Sequence, residues 1–540
     1  MPQRILKNEI FLQALLVVLF LVAALPGVEW GTPNLWNPDE LVWRAAQALN
    51  GEMVFDQTEP DYNYPSLPKY VMYGVGKMTY ALGYSRADFI IAARGVSALL
   101  GALVAALVYR LTRWSGGGAR AAFLAGVFYI ASGVSAANAR FAHNDLYLQF
   151  FAVLCVYFSV QYSQTRARGW LYVSFIAAGF AACSKYTGAS LILAPFAAFI
   201  FSNWAEVRRR YFLAFQTALL GAALFYGGYA LGAPRALLAP IDYFSRVIPA
   251  ALNFSRYGFN SAAPLGVFGQ WAVFRSALGS FIYGLFLIGF VWNAARLFLR
   301  AGGLPPIEEK RRRASWVLLF TLIVFDLPYL ISINYIPRHF IPFTPFMALL
   351  SVLFVEDVFA ALPRLSWRYA FALFLAAGVF YSALRLASVA LLFLHDARIP
   401  ASAYIESIAD KNKIIEYTLY PPNVERKKFK KAYNYPIYFV KYQTDVVPSG
   451  GRYEYNSGEA GLLKRETDYL VIDSLTYARF ATPSVCATNP LECDLFQKLL
   501  ADESSSFRLI KTFSYSLPPY LPSVSIAAVN PQIKIYQRVK

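Results

Sequence analysis

Residues 138–168 read NARFAHNDLYLQFFAVLCVYFSVQYSQTRAR, and their pattern decides the class of fold. The window 146–163 is mostly apolar and aromatic, close to the ~20 residues a helix needs to cross a bilayer. One mouth of this window carries His143, Asn144 and Asp145; the other carries Arg166 and Arg168. Basic residues gather on the cytoplasmic side of a span, so the stretch has a direction as well as a length.

Similar apolar windows lie at 10–28, 88–109, 120–137, 211–231, 271–292, 315–331, 342–359 and 369–394. Residues 170–203 leave room for two shorter segments split by SKYTG at 184–188. The expectation is a polytopic α-helical membrane protein with about eleven spans. The N-terminal apolar run is long and more spans follow, so it reads as an uncleaved first span, not a cleaved signal peptide. With the N-terminus inside, the cytoplasmic loops hold Arg110, Arg113 and Arg120, Arg166 and Arg168, Arg208–Arg210, EEKRRR at 308–313, and Arg364 with Arg368. That alternation leaves the tail from about residue 396 outside the cell membrane.

Composition agrees. The chain has 540 residues, 57% of them hydrophobic and only 15% charged, against a typical charged share of ~25%. Its mean hydropathy is +0.41. The net charge of +18 is spread over many short loops and forms no nucleic-acid footprint. Two domains follow: a transmembrane part, 1–395, and an extracytoplasmic part, 396–540.

Chemistry is expected at the outer mouths. Loop 29–87 is too long for a connector. LVWRAAQALNG at 41–51 has an apolar face at helical spacing and ends in a glycine, so it reads as a short interfacial helix. KYVMYGVGKMTYALG at 69–83 reads as a second one. Between them, prolines and tyrosines of EPDYNYPSLPKY, Tyr64 among them, make a rigid aromatic wall suited to lining a pocket. Locally, Asn37 or Asp39 caps the helix that begins near Glu40, Glu40 is a solvated first-turn acid, and Asp145 caps the span it opens. A shared acidic site is the other reading, because both acid positions lie at one membrane face in a chain with 32 acids. Lys185 in SKYTG, Arg338 in NYIPRHFIPFTP and Arg94 inside a span are cations near hydrocarbon. Such cations are costly without an anion or water. Either they snorkel or they receive a phosphate, Arg338 as a fork and Lys185 as a point charge.

Those pieces suit a sugar on a polyprenyl phosphate. The lipid stays in the bilayer, cations meet the phosphate, and a carboxylate takes the acceptor's proton as the phosphate leaves. No GxGxxG, Walker or CxxC motif is present, and GGGARAAF at 116–123 lacks the phosphate-loop lysine.

At NPDE (37–40), YNYPSLPKY (62–70), ARFAHND (139–145), SKYTG (184–188) and PRHFIPFTP (337–345) the chain resembles the GT-C membrane glycosyltransferases. It is closest in type to protein O-mannosyltransferases and the aminoarabinose transferase of lipid A. The resemblance implies a GT-C-like fold over roughly residues 8–395 and transfer from a polyprenyl-phosphate sugar on the extracytoplasmic face, with inversion. The acceptor it implies is a protein, a glycolipid or a polysaccharide. It gives Asp39 the role of base or acceptor-orienting acid, supported by Glu40. Asp145 becomes the second acid, tied in relatives to a divalent metal (Mg or Mn) or to substrate. Lys185 and Arg338 become phosphate ligands, with Tyr64, His143 and Arg94 at the substrate site. Two departures stand out: RH replaces an RY pair at 338–339, and Asn63–Tyr64–Pro65–Ser66 replaces an acid followed by PPL. The second departure bears on metal dependence. With three histidines in the chain, a histidine zinc site is not expected.

The tail alternates helix and strand patterns and reads as a small mixed α/β domain. Its Cys486 and Cys493 can pair if exported; Cys155 and Cys183 lie in apolar segments and read as buried hydrophobes. A transporter or flippase is the competing class. It asks for polar or broken spans in paired repeats, whereas here the charges cluster at outer mouths and no internal repeat is evident.

Overall fold

The computed structural model describes residues 2–52, 64–254, 267–298, 307–330, 336–435, 458–488 and 490–539. The start of the aromatic stretch EPDYNYPSLPKY and part of the outer loop expected at 232–270 fall outside them. Contacts divide the chain into two compact units. The first is Met1–Val28 with Asp39–Ala387; the second is Glu29–Pro38 with Ser388–Lys540.

The first unit is helical. It begins with α1 (Pro2–Ala24), α2 (Val42–Leu49), α3 (Ser66–Ala81), α4 (Arg86–Trp114), α5 (Ala119–Ala131) and α6 (Val134–Asn138). Then come α7 (Asp145–Thr165), α8 (Arg168–Ser184), α9 (Leu193–Ser202), α10 (Trp204–Arg209), α11 (Tyr211–Gly232), α12 (Arg235–Leu238) and α13 (Pro240–Phe254). It closes with α14 (Val267–Leu278), α15 (Ser280–Phe298), α16 (Glu309–Leu330), α17 (Thr344–Ala361) and α18 (Leu365–Leu394), the last running on into the second unit. Among the described residues six helical stretches are long and apolar enough to cross a membrane, and three shorter apolar ones accompany them. This is an integral membrane protein.

Small residues set the helix spacing, as membrane packing requires. A Cβ on Gly179 of α8 would come within 2.2 Å of Phe225 O, and one on Gly228 of α11 within 2.4 Å of Ile176 O. Gly101 of α4 and Gly126 of α5 receive Phe20 and Leu16 of α1 in the same way. The basic loops gather at one end of the bundle. There Arg113 pairs with Glu9 at 3.0 Å, Arg311 with Asp357 at 2.7 Å, and Arg313 donates to the Ser163 carbonyl near the end of α7.

The capping expectations are corrected. The residue before α2 is Leu41 and the one before α7 is Asn144, each without a side-chain cap bond. The carboxylates of Asp39 and Asp145 are spent on cations instead. Gly51 does end the first interfacial helix, with φ +74°.

The second unit is α/β. Its sheet has the order β2-β1-β3-β5-β4, where β1 is Ile414–Tyr417, β2 Lys431–Asn434, β3 Tyr469–Asp473, β4 Phe507–Phe513 and β5 Ile533–Arg538. β1 pairs parallel with β2 and β3; β5 runs antiparallel to β3 and β4. All four residues of β1 are buried, as a strand covered on both faces requires. The basic run 425–435 forms a short 3-10 turn, Arg426–Lys428, followed by β2. Cys486 and Cys493 form a disulfide.

Glu29–Pro38, the start of the first long loop, packs with this unit. Trp30 Nε1 donates to Asp396 Oδ2 at 2.9 Å. Arg398 clamps Asp396 through Nε and Nη2, and its guanidinium lies 4.9 Å from the Trp30 ring and 4.4 Å from the Trp36 ring. Asn423 Oδ1 accepts from both Trp36 Nε1 and Asn34 Nδ2.

Candidate active site

The four motifs lie opposite the basic-loop end of the bundle, each placed by a break in helical structure. Asp39 precedes α2. His143 to Asp145 form the turn between α6 and α7. In SKYTG, α8 stops at Ser184, Lys185 is extended (φ −154°, ψ 134°), and the chain tightens into a 3-10 turn, Tyr186–Ile192. A glycine is needed there: a Cβ on Gly188 would meet the Ala181 backbone at 2.5 Å. Asn144 Nδ2 donates to the Ser184 carbonyl at 3.0 Å and locks this corner to the turn before α7. Arg338 sits in a second 3-10 turn, Pro337–Phe343, before α17.

Two ion-pair sets result. Arg338 Nη2 meets Asp39 Oδ2 at 2.8 Å, with the aspartate side chain 44% exposed. Asp145 is buried: Lys185 Nζ lies 2.7 Å from its Oδ1, and His143 Nδ1 lies 2.7 Å from its Oδ2. The sets belong to one electrostatic cluster, because Asp39 feels His143 and Asp145, and Lys185 feels both Asp39 and Arg338. Burial works against the charge on Asp39, but the Arg338 guanidinium beside it outweighs this and holds the carboxyl below its ordinary value. Burial dominates at His143 and pushes the imidazole down, although Asp145 pulls the other way. A neutral His143 with its proton on Nδ1 faces Asp145 and leaves Nε2 as an acceptor. That nitrogen is buried with no hydrogen-bond partner among the described residues. Tyr64 packs edge-on against the same ring, with centroids 5.4 Å apart.

Glu40 and Arg94 lie apart from this cluster in their bonding. Both are fully buried, joined by Arg94 Nε–Glu40 Oε2 at 2.9 Å and Nη2–Oε1 at 2.7 Å. Arg94 Nη1 also reaches the Val28 carbonyl, and the Ala142 amide donates to Glu40 Oε2. The Leu41 amide donates to the Ala142 carbonyl. The pair therefore ties the chain after α1, helix α4 and the 139–145 turn together directly behind Asp39. Of the two adjacent acids, one faces partly to solvent and the other is structural glue.

Sequence reasoning passed over three supporting residues. Arg140 is fully buried and donates to the Ala23, Pro26 and Ala136 carbonyls, closing the end of α1. Gln149, one turn into α7, donates to Thr344 Oγ1 and Ser135 Oγ and fixes α7 to the Arg338 segment. Lys69 is buried in α3, its ammonium pushed down to about 7 by burial and by Arg44. A polar residue inside an apolar stretch was the available signal for Gln149 and Lys69; Arg140 lies in the turn before α7 and carried no such signal.

The metal suggested for Asp145 can be tested on the donor set. Both carboxylate oxygens are engaged, and the neighbouring ammonium and guanidinium repel a dication. Among the described residues no three His, Cys, Asp or Glu side chains converge. Lys185 and His143 engage Asp145, and the chemistry below runs through the chain's own side chains.

Comparison with known proteins follows this geometry. The family model for dolichyl-phosphate-mannose-protein mannosyltransferase matches residues 42–227. No curated protein matches the sequence. The structure is similar to that of ArnT from Cupriavidus metallidurans bound to undecaprenyl phosphate. Identity is 15%, coverage 87% of this chain and 94% of that one, and the TM-score 0.50. It is likewise similar to an Archaeoglobus fulgidus oligosaccharyltransferase tethered to an acceptor peptide, at 12% identity, 98% and 88% coverage and a TM-score of 0.50. The chain resembles the GT-C superfamily membrane glycosyltransferases of the protein mannosyltransferase and ArnT type, and its fold is GT-C-like.

Proposed function

We propose that this protein transfers a sugar from a polyprenyl-phosphate donor to an acceptor at the extracytoplasmic face of the cell membrane. The observation that carries the reading is the half-exposed Asp39 carboxylate held by Arg338 beside the buried Lys185–Asp145–His143 set. The family match to residues 42–227 covers two of the four motif segments, 139–145 and 184–188, and supports it. The topology proposed has the N-terminus inside and eleven spans. These are the six long apolar stretches and three shorter ones, together with α8 and α16.

In the proposed step, the acceptor hydroxyl gives its proton to Asp39 as its oxygen attacks the anomeric carbon. The bond from that carbon to the phosphate oxygen breaks, and the phosphate leaves with both electrons. Attack from the side opposite the phosphate inverts the centre. Asp39 is ionised at neutral pH because Arg338 holds it low, so it is ready to accept the proton. Arg338 can turn part of its fork to the leaving phosphate, and Lys185 adds a fixed positive charge nearby. The bare Nε2 of His143 accepts a substrate hydroxyl, and Tyr64 walls the sugar. Asp145 orients Lys185 and His143, while Glu40 and Arg94 hold the frame. A protein, glycolipid or polysaccharide all satisfy the acceptor role as drawn.

The test uses purified protein in lipid with polyprenyl-phosphate sugars from its host membrane and candidate host acceptors, followed by mass spectrometry. The reading predicts that one donor species falls as a product heavier by that sugar grows. Movement of intact carrier across sealed vesicles without any product would favour the transporter class.

A further inference from the structure

Asp326 is not used by the chemistry above. It lies in α16, about one turn before the outer end, between Ile323 and Leu327, which are exposed as lipid-facing side chains are. A carboxylate among such neighbours is expensive and marks function. The side-chain amide of Gln270, 5% exposed in α14, donates to its Oδ1.

Both helices press on the 3-10 turn that carries Arg338. Phe274, one turn beyond Gln270, packs on Phe340 with ring centroids 4.6 Å apart. Phe325, next to Asp326, stacks on Phe343 at 5.1 Å. Tyr329, one turn beyond Asp326, packs on His339 at 5.5 Å and donates to Thr187 Oγ1 in the SKYTG corner. Tyr329 lies within electrostatic reach of both Asp145 and Asp326. The carboxylate–amide pair therefore flanks the Arg338 turn beside the cluster that holds Asp145.

We propose that Asp326 and Gln270 form the subsite for the hydroxyl groups of the donor sugar. This rests on the donor-site reading above. A carboxylate only accepts hydrogen bonds, and an amide both donates and accepts. Side by side, the two match adjacent ring hydroxyls, each of which donates to one group and accepts from the other. Arg338 then takes the phosphate end of the same donor.

The test is equilibrium binding of full-length protein in nanodiscs to two kinds of lipid. One is bare undecaprenyl phosphate; the other is undecaprenyl phosphate carrying mannose or glucose. Asp326→Asn, close in shape, is expected to weaken binding of the sugar-bearing lipid that wild type prefers by tenfold or more. It should leave the bare lipid within twofold. Gln270→Met should behave the same way, and unchanged binding of the bare lipid certifies that each variant is folded. Equal loss of both lipids, or no loss of either, overturns the subsite. So does a wild type that binds bare and sugar-bearing lipids alike. A wild type that binds neither lipid overturns the donor-site reading itself, and the subsite falls with it.

Discussion

Glu40→Leu removes the carboxylate from the most buried ion pair near the site. Three hydrogen bonds go with it, two from Arg94 and one from the Ala142 amide, all between 2.7 and 2.9 Å. Both side chains are 0% exposed, so water cannot replace the lost partner. Stranding one charge of a buried pair costs about 3–5 kcal/mol, against ~0–1 kcal/mol for a surface pair. At about 2 °C per kcal/mol for a large domain, the midpoint of unfolding falls by roughly 6–10 °C. Arg94→Met strands the other charge and costs a similar amount. Glu40→Leu/Arg94→Met removes both charges and keeps the volume, so it recovers most of the loss. The assay is thermal unfolding of the purified variants in detergent, followed by tryptophan fluorescence and by size-exclusion recovery. A double variant as unstable as the sum of the singles, or a single variant unchanged from wild type, refutes the coupled clamp.

Arg338→Gln leaves burial as the largest influence on Asp39, which raises its pKa. The ionised base is then lost at a higher pH as the solution is acidified, so the acid limb of kcat/KM moves up; an unmoved limb contradicts the pairing. Gly188→Ala pushes a methyl into the Ala181 backbone and should cost about 1–3 kcal/mol, together with most activity, measured as melting temperature and product formation. Dialysis against EDTA should leave turnover unchanged, because Lys185 and His143 already occupy Asp145. Loss restored by Mg or Mn would show that the chain recruits an ion.

Much of this architecture is written in local patterns. Apolar windows mark the long helices, and SKYTG announced a break because lysine and glycine interrupt hydrocarbon. The tail strands were readable from alternation at 467–477 and in the last residues. What local pattern does not carry is long-range pairing. Asp39 and Glu40 are neighbours with near-identical chemistry, yet Arg338, 299 residues away, takes one and Arg94, 54 residues away, takes the other. The capping expectation failed for the same reason, since a nearby cation outcompetes a backbone amide for a carboxylate. No local pattern ties Glu29–Pro38 to the tail, and only Asp396, Arg398 and Asn423 show that it packs with that unit. The need for glycine at 179 and 228 likewise shows only in the crossing of α8 and α11.

The central claim is that Asp39 accepts the acceptor's proton, and Asp39→Asn tests it with shape nearly preserved. Single-turnover transfer from a bound polyprenyl-phosphate sugar should fall by at least a hundredfold, while binding of that donor stays within a few-fold of wild type. Transfer at the wild-type rate by the asparagine variant would contradict the account.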